Sequence, residues 1–496
     1  MHACKRGITR TSFNTILIKN KIELGSPAFG KSHSPRMSLQ VLATNASAPT
    51  ATTDGLCGLK ITAIAASYPE GPEGPVPAPS KHIAGLIDTS GSMLGSRIEN
   101  VKKSLEAMLA KMRQGDRLTL VGFCSTADVI LPGVLITGEP EQLSELIATV
   151  KLMQATTGTN VQLGITKMAD FMKDSGLPPL DAVILLTDGD FTEGVVRSAT
   201  GLNSLFLSNF GTIPVFTIGY GTGYMIEVLK AIAAKTGASH AFIDEEVVDL
   251  SRNIGQMLAA IETEVARAVR VEFSSALKCS EPAGSTPVEG VVGKMSFNAG
   301  YMPAEKDIWV VFAIPPGTDL STVSFVVKYK IGGEEKSLEC VADATSIPAD
   351  QIMEHELRCV ITKKLNEATA AMRLNNLENA RELVTSGLSL IAVSSVRTSG
   401  LAITMKAQLD ETLEEIVAAL AAPRVHYGDD EDDMRTPAAL LYRTSAVAGN
   451  YSQQRGGTRM RSGVTPGCFS TPAQVDAGEN ISEDLVRDPA GLLSTP

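Results

Sequence analysis

The chain has 496 residues, more than one hydrophobic core usually organises, so two or three domains are expected. Its formal net charge of −11 and its 5% aromatic residues argue against a nucleic-acid binder that depends on a basic surface and base stacking. The seven cysteines are odd in number and widely spaced, which indicates neither a zinc ribbon nor a disulfide framework and favours a reducing, cytoplasmic location.

The N-terminal region is predicted to be a disordered, basic leader over residues 1–56, because its composition is rich in Ser, Ala, Thr and Pro. Its basic start resembles a transit peptide for import into an organelle. An unstructured extension ahead of a true start at Met37 is the other interpretation, and both stay open. Residues 57–80 are predicted to be a strand followed by a linker, since the sequence PEGPEGPVPAPS excludes a helix.

Residues 81–250 alternate between apolar runs and segments with helical spacing. The helical segments are 97–113, 141–153, 160–174 and 225–237, and the predicted strands include HIAGLID (82–88), RLTLVGF (117–123), DAVILLTDGD (181–190), IPVFTIGYG (213–221) and AFID (241–244). Continuous apolar runs are typical of strands covered on both faces. The alternation therefore predicts a doubly wound α/β domain with a mostly parallel sheet and right-handed crossovers.

The C-terminal half of the chain changes character twice. Residues 251–345 contain short strands between Gly, Pro and charged turns, which predicts a domain of the β-sandwich type. Residues 346–422 are helical again, with RLNNLENA (373–380) at the turn of a helical hairpin. Residues 423–496 are predicted to be a disordered tail. No run of about 18 apolar residues predicts a transmembrane helix.

Polar side chains follow the predicted strands of the α/β domain. Asp88, Ser90 and Ser92 leave the first strand, Thr159 precedes a helix, and Asp188 leaves a later strand. Ligands of doubly wound sheets bind at the carboxyl ends of the strands, so we expect these side chains to converge. All five are hard oxygen donors, which suit Mg²⁺ with waters completing its shell. The sequence therefore predicts a divalent-metal site.

The order and spacing of these residues resemble the von Willebrand factor type A domain, whose metal-ion-dependent adhesion site uses Asp-x-Ser-x-Ser, a distant Thr and a distant Asp. The resemblance covers about 82–250 and places Asp88, Ser90, Ser92, Thr159 and Asp188 on its five positions. It implies Mg²⁺, or Mn²⁺ or Ca²⁺, with one coordination position left for a Glu or Asp carboxylate of a partner protein. It also implies a non-enzymatic interaction module. Asp190 and Glu193 are weaker candidates for residues that face the partner.

Two other functions stay open. Similar intracellular proteins of plants often carry a RING finger, but only Cys4 and Cys57 precede the domain here, so ubiquitin-ligase activity is not implied. The chain can instead be an adaptor or scaffold in a ubiquitin-related or other assembly, binding through the helical hairpin. The other alternative is a metal-dependent hydrolase of the haloacid-dehalogenase type. That class needs a second acidic residue, two positions after the first Asp, as a general acid/base, and this chain has Ser90 there. The sequence assigns neither the partner nor the oligomeric state.

Overall fold

The structure, a computed structural model, describes residues 37–48, 54–64, 70–71, 74–75, 79–189, 191–221, 225–243, 247–421, 435–454, 470–471, 473–477 and 479–480. Its strands are β1 Ser38–Ser47, β2 Gly55–Ile64, β3 Glu70–Gly71, β4 Gly74–Pro75, β5 His82–Asp88, β6 Arg117–Phe123, β7 Ala127–Leu135, β8 Ala182–Thr187, β9 Val215–Tyr220, β10 His240–Ile243, β11 Glu264–Ser274, β12 Lys278–Cys279, β13 Thr286–Pro287, β14 Lys294–Pro303, β15 Asp307–Ile314, β16 Ser324–Ile331 and β17 Glu334–Val341. Its helices are α1 Ser96–Lys111, α2 Pro140–Lys151, α3 Val161–Ser175, α4 Ala199–Phe210, α5 Ile226–Thr236, α6 Val247–Glu262, α7 Ala349–Arg373, α8 Leu377–Val393, α9 Gly400–Ala421 and α10 Arg435–Gln453. Within these ranges no helix is long and apolar enough to cross a membrane.

A six-stranded sheet in the order β10-β9-β8-β5-β6-β7 forms the centre of the α/β domain. Its strands run parallel except at the edge, where β7 pairs antiparallel with β6. Helices α1, α2 and α6 pack on one face of the sheet, and α3, α4 and α5 pack on the other. All seven residues of β5 are buried, as expected for a central strand covered on both faces. The doubly wound α/β prediction is confirmed.

Two elements of this domain were not predicted from the sequence. Strand β7 contains Pro132 and Gly133, which argue against a central strand but are tolerated at the edge of a sheet. Helix α4 is short and contains two Ser, two Asn and one Gly, and it is capped by Ser198, whose side chain accepts a hydrogen bond from the backbone N–H of Gly201. Both elements depend on the sheet beside them more than on local propensity.

The β-rich domain is a sandwich of two antiparallel sheets, in the orders β1-β2-β15-β12 and β13-β14-β11-β16-β17. Strands β1 and β2 come from the N-terminal region, so the predicted disorder of residues 1–56 is wrong for Ser38–Ser47, and the strand predicted in 57–80 belongs to this sandwich. β1 is rich in Ser, Thr and Ala, and a composition of this kind does not predict a strand. The strand is stabilised instead by the burial of Leu39 and Ala43 in the core between the two sheets.

The C-terminal helices form the predicted hairpin, α7 and α8, followed by α9. The prediction of a disordered tail over residues 423–496 is wrong for α10, which packs against α7 and α9 and also reaches α5 and β10 of the α/β domain. α10 presents small apolar side chains, of which Ala446 is buried against the α/β domain and Ala448 against the other C-terminal helices.

The sandwich contacts the α/β domain at the edge where the sheet strands begin. Lys81, just before β5, lies 3.2 Å from Glu264, and Arg267 lies 3.4 Å from Asp181, just before β8. Gly300 of β14 packs directly against the backbone of Gly237 at the end of α5. Among the described residues, these contacts between the sandwich and the α/β domain lie at the edge opposite the carboxyl ends of the strands.

Candidate metal centre

The two central strands β5 and β8 end side by side, and the candidate site begins where they end. Asp88, the last residue of β5, has a fully buried side chain. Its Oδ2 accepts a hydrogen bond from Thr187 Oγ1 at 2.5 Å, and its Oδ1 accepts one from the backbone N–H of Ser90 at 2.8 Å. The carboxylate is thus fixed in one orientation at the carboxyl edge of the sheet.

The two serines of the motif follow on a short 3-10 turn, Gly91–Met93, which is anchored in the core by the buried Met93. Ser92 Oγ donates a hydrogen bond to Asp188 Oδ1 at 2.8 Å, and the Ser90 and Ser92 hydroxyls lie 2.9 Å apart. Because the Ser92 proton is directed at Asp188, Ser90 is the donor of the bond between the serines. Ser92 is exposed, so this end of the network opens to solvent.

Thr159 reaches the same place from the loop that precedes α3. The loop is held to the first strand's exit by a backbone bond from Thr156 N–H to Thr89 O at 2.7 Å, and the Thr159 side chain is buried. A methyl group built on Gly189 would lie 3.5 Å from Ser92 Oγ and 4.0 Å from Thr159 Oγ1. The hydroxyls of Ser92 and Thr159 therefore both lie beside Gly189, at the same point of the carboxyl edge.

The site holds more negative than positive charge. Burial, with a smaller contribution from the charge of Asp188, raises the pKa of Asp88 to about 6, although hydrogen bonds from Thr187 and Ser90 oppose the shift. Arg97 Nη1 lies 2.6 Å from Asp188 Oδ2, and the Asp188 side chain is fully buried. The guanidinium of Arg97 thus pairs with Asp188, one of the two buried carboxylates.

These residues fit a small, hard divalent cation. The donors are two carboxylates and three hydroxyls, all oxygens, arranged around the space beside Gly189. Mg²⁺ prefers such oxygen donors and keeps several waters. In the part of the chain that the structure describes, no group of three or more His, Cys, Asp or Glu side chains is placed to hold a metal ion. A metal ion at this site would therefore be bound by the carboxylates of Asp88 and Asp188 together with the hydroxyls of Ser90, Ser92 and Thr159.

The weaker candidates for partner contact lie on the loop after Asp188. Asp190 lies outside the described residues. Glu193 is half-buried, and its carboxylate accepts a hydrogen bond from Ser125 Oγ at 2.7 Å, while its backbone N–H donates to Thr159 O at 3.2 Å. Glu193 therefore fixes the position of the Thr159 loop, and its contact with a partner stays a prediction.

Two residues that contact the carboxylates were missed by the sequence reasoning. Thr187 is the last residue of β8, and the bond that its hydroxyl donates to Asp88 was not predicted from the sequence. Arg97 lies in the first turn of α1, and its contact with Asp188 was not predicted from the sequence either. Two features of the sequence indicate such residues: a hydroxyl side chain at the end of a buried strand, and a basic side chain in the first turn of the helix that follows the motif.

Four exposed apolar side chains belong to the loops and helix ends around the site. Leu94 follows the serine turn, Leu152 ends α2, Leu163 lies in the first turn of α3, and Val195 follows the Glu193 loop. Leu152 and Val195 are 78% and 95% exposed. Exposed apolar residues on the chain segments that carry polar site residues are compatible with a protein-binding surface.

Residues 82–255 match the sequence profile of the von Willebrand factor type A domain. The rat inter-alpha-trypsin inhibitor heavy chain H3 is 28% identical over 177 residues, 34% of this chain and 19% of that protein. The human inter-alpha-trypsin inhibitor heavy chain H1 is 26% identical over 199 residues, 39% of this chain and 21% of that protein. The match therefore spans about a fifth of the length of these curated relatives.

The solved structure of a von Willebrand factor type A protein from Catenulispora acidiphila superposes with a TM-score of 0.58 and 15% identity, covering 84% of this chain and 98% of that one. This similarity concerns the fold, and it extends beyond the α/β domain to the additional sheets and C-terminal helices. Domains of this family typically mediate protein–protein interactions and often bind a divalent metal. The α/β part of this chain therefore has the von Willebrand factor type A fold, and residues 82–255 match the sequence profile of that domain.

Proposed function

We propose that this chain is a non-enzymatic protein-binding protein that uses a divalent cation to bind an acidic side chain of its partner. The cation is Mg²⁺, or Mn²⁺ or Ca²⁺, and its ligands are Asp88, Ser90, Ser92, Thr159 and Asp188. One observation carries the proposal: Asp88 and Asp188 are both buried at the open carboxyl edge of the sheet, where the motif serines link them.

The chain's own residues prepare the place for an anionic ligand. When bound, the cation supplies a coordination position that a Glu or Asp carboxylate of the partner can fill. Asp88 and Asp188 balance the charge of a divalent ion without exceeding it, so an incoming carboxylate is still attracted. Helix α1 begins at Ser96, shortly after the serine turn, and its N-terminal N–H groups add positive potential.

The rim of the site supports a protein as the ligand. Leu94, Leu152, Leu163 and Val195 are exposed on the chain segments that carry Ser92, Thr159 and Glu193, and they offer apolar area that an isolated small anion would not need. A partner segment with an acidic residue between apolar residues matches this arrangement. Asp190 and Glu193 are proposed as additional contacts at the same rim.

The positions of the histidines support a non-enzymatic function. A serine nucleophile needs a base within hydrogen-bond reach. Among the described residues, His82 begins β5 while Asp88 ends it, His240 begins β10, and His355 lies on α7. In the described part of the chain no imidazole therefore lies beside Ser90 or Ser92.

We also propose a cytoplasmic location. The five cysteines among the described residues are free thiols, which is the usual state in a reducing compartment.

The experiment is affinity capture with the immobilised chain in Mg²⁺, in EDTA, and with the Asp88→Ala variant. A matched control is Asp170→Ala, which removes an exposed carboxylate from α3 of the same domain. Proteins retained in Mg²⁺ by the wild type and by the control, and lost in EDTA and with Asp88→Ala, are the expected result. Partners retained under all four conditions would contradict the metal-dependent function and favour binding through the α7–α8 hairpin.

A further inference from the structure

Arg97 is the charged neighbour of the site that the proposed function does not use. It projects from the first turn of α1, and its Nη1 lies 2.6 Å from Asp188 Oδ2 and 3.3 Å from the carbonyl oxygen of Ser92. The Arg97 side chain is 28% exposed, whereas that of Asp188 is fully buried. The guanidinium therefore lies over the buried carboxylate on the side that faces solvent.

The four carboxylate oxygens of the site each have a hydrogen-bond donor in this arrangement. Asp88 accepts bonds from Ser90 N–H and Thr187 Oγ1, and Asp188 accepts bonds from Ser92 Oγ and Arg97 Nη1. Of these four donors only Arg97 carries a charge. It is thus the group that compensates the burial of the Asp188 charge, which would otherwise be strongly unfavourable.

A divalent cation and this guanidinium compete for the same negative charge. Both are attracted to Asp188, and they repel each other at the short distances that the site imposes. Arginine keeps its charge at every pH at which a protein is folded, so the competition does not depend on a proton. Its partial exposure moderates the repulsion, because solvent screens the outer part of the guanidinium.

We propose that Arg97 is a built-in counter-cation of the metal site, which neutralises Asp188 when the metal is absent and lowers the affinity of the site for divalent cations. This inference rests on the proposed function, because it takes Asp188 to be a metal ligand. The residue sets the cation concentration at which the site fills. It also keeps the empty domain stable, since Asp188 never stands alone in the interior.

The test compares Mg²⁺ binding and thermal unfolding in the wild type, Arg97→Gln and Arg97→Lys. The control Lys103→Gln removes a positive charge from an exposed position on the same helix. We expect Arg97→Gln to bind Mg²⁺ about tenfold more tightly, which corresponds to about 1.4 kcal/mol. Without metal it should unfold at a lower temperature than the wild type, so its stabilisation by Mg²⁺ is larger. Arg97→Lys and Lys103→Gln should stay close to the wild type.

The outcomes separate this inference from the function on which it rests. If the wild type binds Mg²⁺ and Arg97→Gln binds it equally or more weakly, the counter-cation role is wrong and the metal site stands. If neither protein binds Mg²⁺, the metal site itself is wrong, and the inference falls with it. If Arg97→Gln binds Mg²⁺ and the wild type does not, the counter-cation role is supported. Should Arg97→Gln fail to fold, Arg97→Met, which also removes the charge, repeats the comparison with the wild type.

Discussion

A buried ion pair joins the sandwich to the helical region, and its disruption gives the sharpest stability prediction. Arg358 on α7 has no exposed surface, and its Nη2 lies 2.7 Å and 2.8 Å from the two carboxylate oxygens of Glu281, whose side chain is also fully buried. Arg358 Nη1 donates to the carbonyl oxygen of Tyr451 near the end of α10 at 2.9 Å, and its Nε donates to His355 Nδ1 at 3.2 Å. One side chain thus links the sandwich, α7 and α10.

The substitution Arg358→Met keeps apolar volume and removes every one of these donors. Glu281 would then retain the N–H of Val311, at 3.2 Å, and the weak thiol donor of Cys359. Leaving one member of a buried ion pair without its partner costs about 3–5 kcal/mol. We therefore expect the free energy of unfolding to fall by about that amount. The double variant Glu281→Met/Arg358→Met should regain part of the loss, because no charge is left buried.

Urea unfolding measures this effect, with far-UV circular dichroism and tryptophan fluorescence followed on the same samples. The chain has a single tryptophan, Trp309, which stacks on His355 with ring centroids 4.4 Å apart. Fluorescence therefore reports on the interface that Arg358 supports. An Arg358→Met protein whose stability lies within about 1 kcal/mol of the wild type would refute the reasoning, since the predicted loss is at least three times larger.

Two further predictions concern the contact between the sandwich and the α/β domain and the interior of the α/β domain. A methyl group on Gly300 would lie 2.2 Å from the Gly237 Cα, and Gly300 has a φ of +76°. Gly300→Ala should therefore lower the free energy of unfolding by about 2–5 kcal/mol, measured by urea titration. The control Gly290→Ala, at a similar φ but with no atom within 4 Å of the added methyl group, should lower it clearly less. Burial lowers the pKa of His240, which contacts Thr217 Oγ1, to about 3. Below about pH 6.5 the His240 side chain binds a proton in the unfolded chain but not in the folded one. The free energy of unfolding therefore falls as the pH falls, and His240 alone accounts for a loss of about 2 kcal/mol at pH 5. His240→Gln should reduce the difference between urea midpoints at pH 7.5 and pH 5, and an unchanged difference would show that this histidine is not buried in its neutral form.

Continuous apolar runs made part of the fold predictable. HIAGLID, RLTLVGF and DIWVVFAI coincide with β5, β6 and β15, because each run is as long as the buried part of its strand. Strand β1 and helix α10 were missed, since their Ser-, Thr- and Ala-rich sequences have weak local signals and gain stability only from distant partners. Long-range pairing of that kind is not visible in a short window of sequence.

The oxygen-donor residues of the candidate site could be predicted from the sequence, but the side-chain contacts around them could not. Asp88, Ser90 and Ser92 are neighbours in the sequence, and parallel strands bring Asp188 to the same edge of the sheet. The contact between Arg97 and Asp188 was not predictable, because it depends on where the first turn of α1 places a long side chain. The direction of the Glu193 carboxylate, toward Ser125, is set by loop geometry in the same way.

Direct titration of the purified chain with Mg²⁺ by isothermal calorimetry tests the central claim most directly, with Asp188→Ala and the control Asp170→Ala measured beside the wild type. The account predicts saturable binding of one Mg²⁺ ion by the wild type and the control. It also predicts that Asp188→Ala loses this binding while its far-UV circular dichroism stays unchanged. Equal Mg²⁺ affinity in Asp188→Ala and the wild type, or no binding by the wild type, would contradict a metal site at the end of β5 and β8.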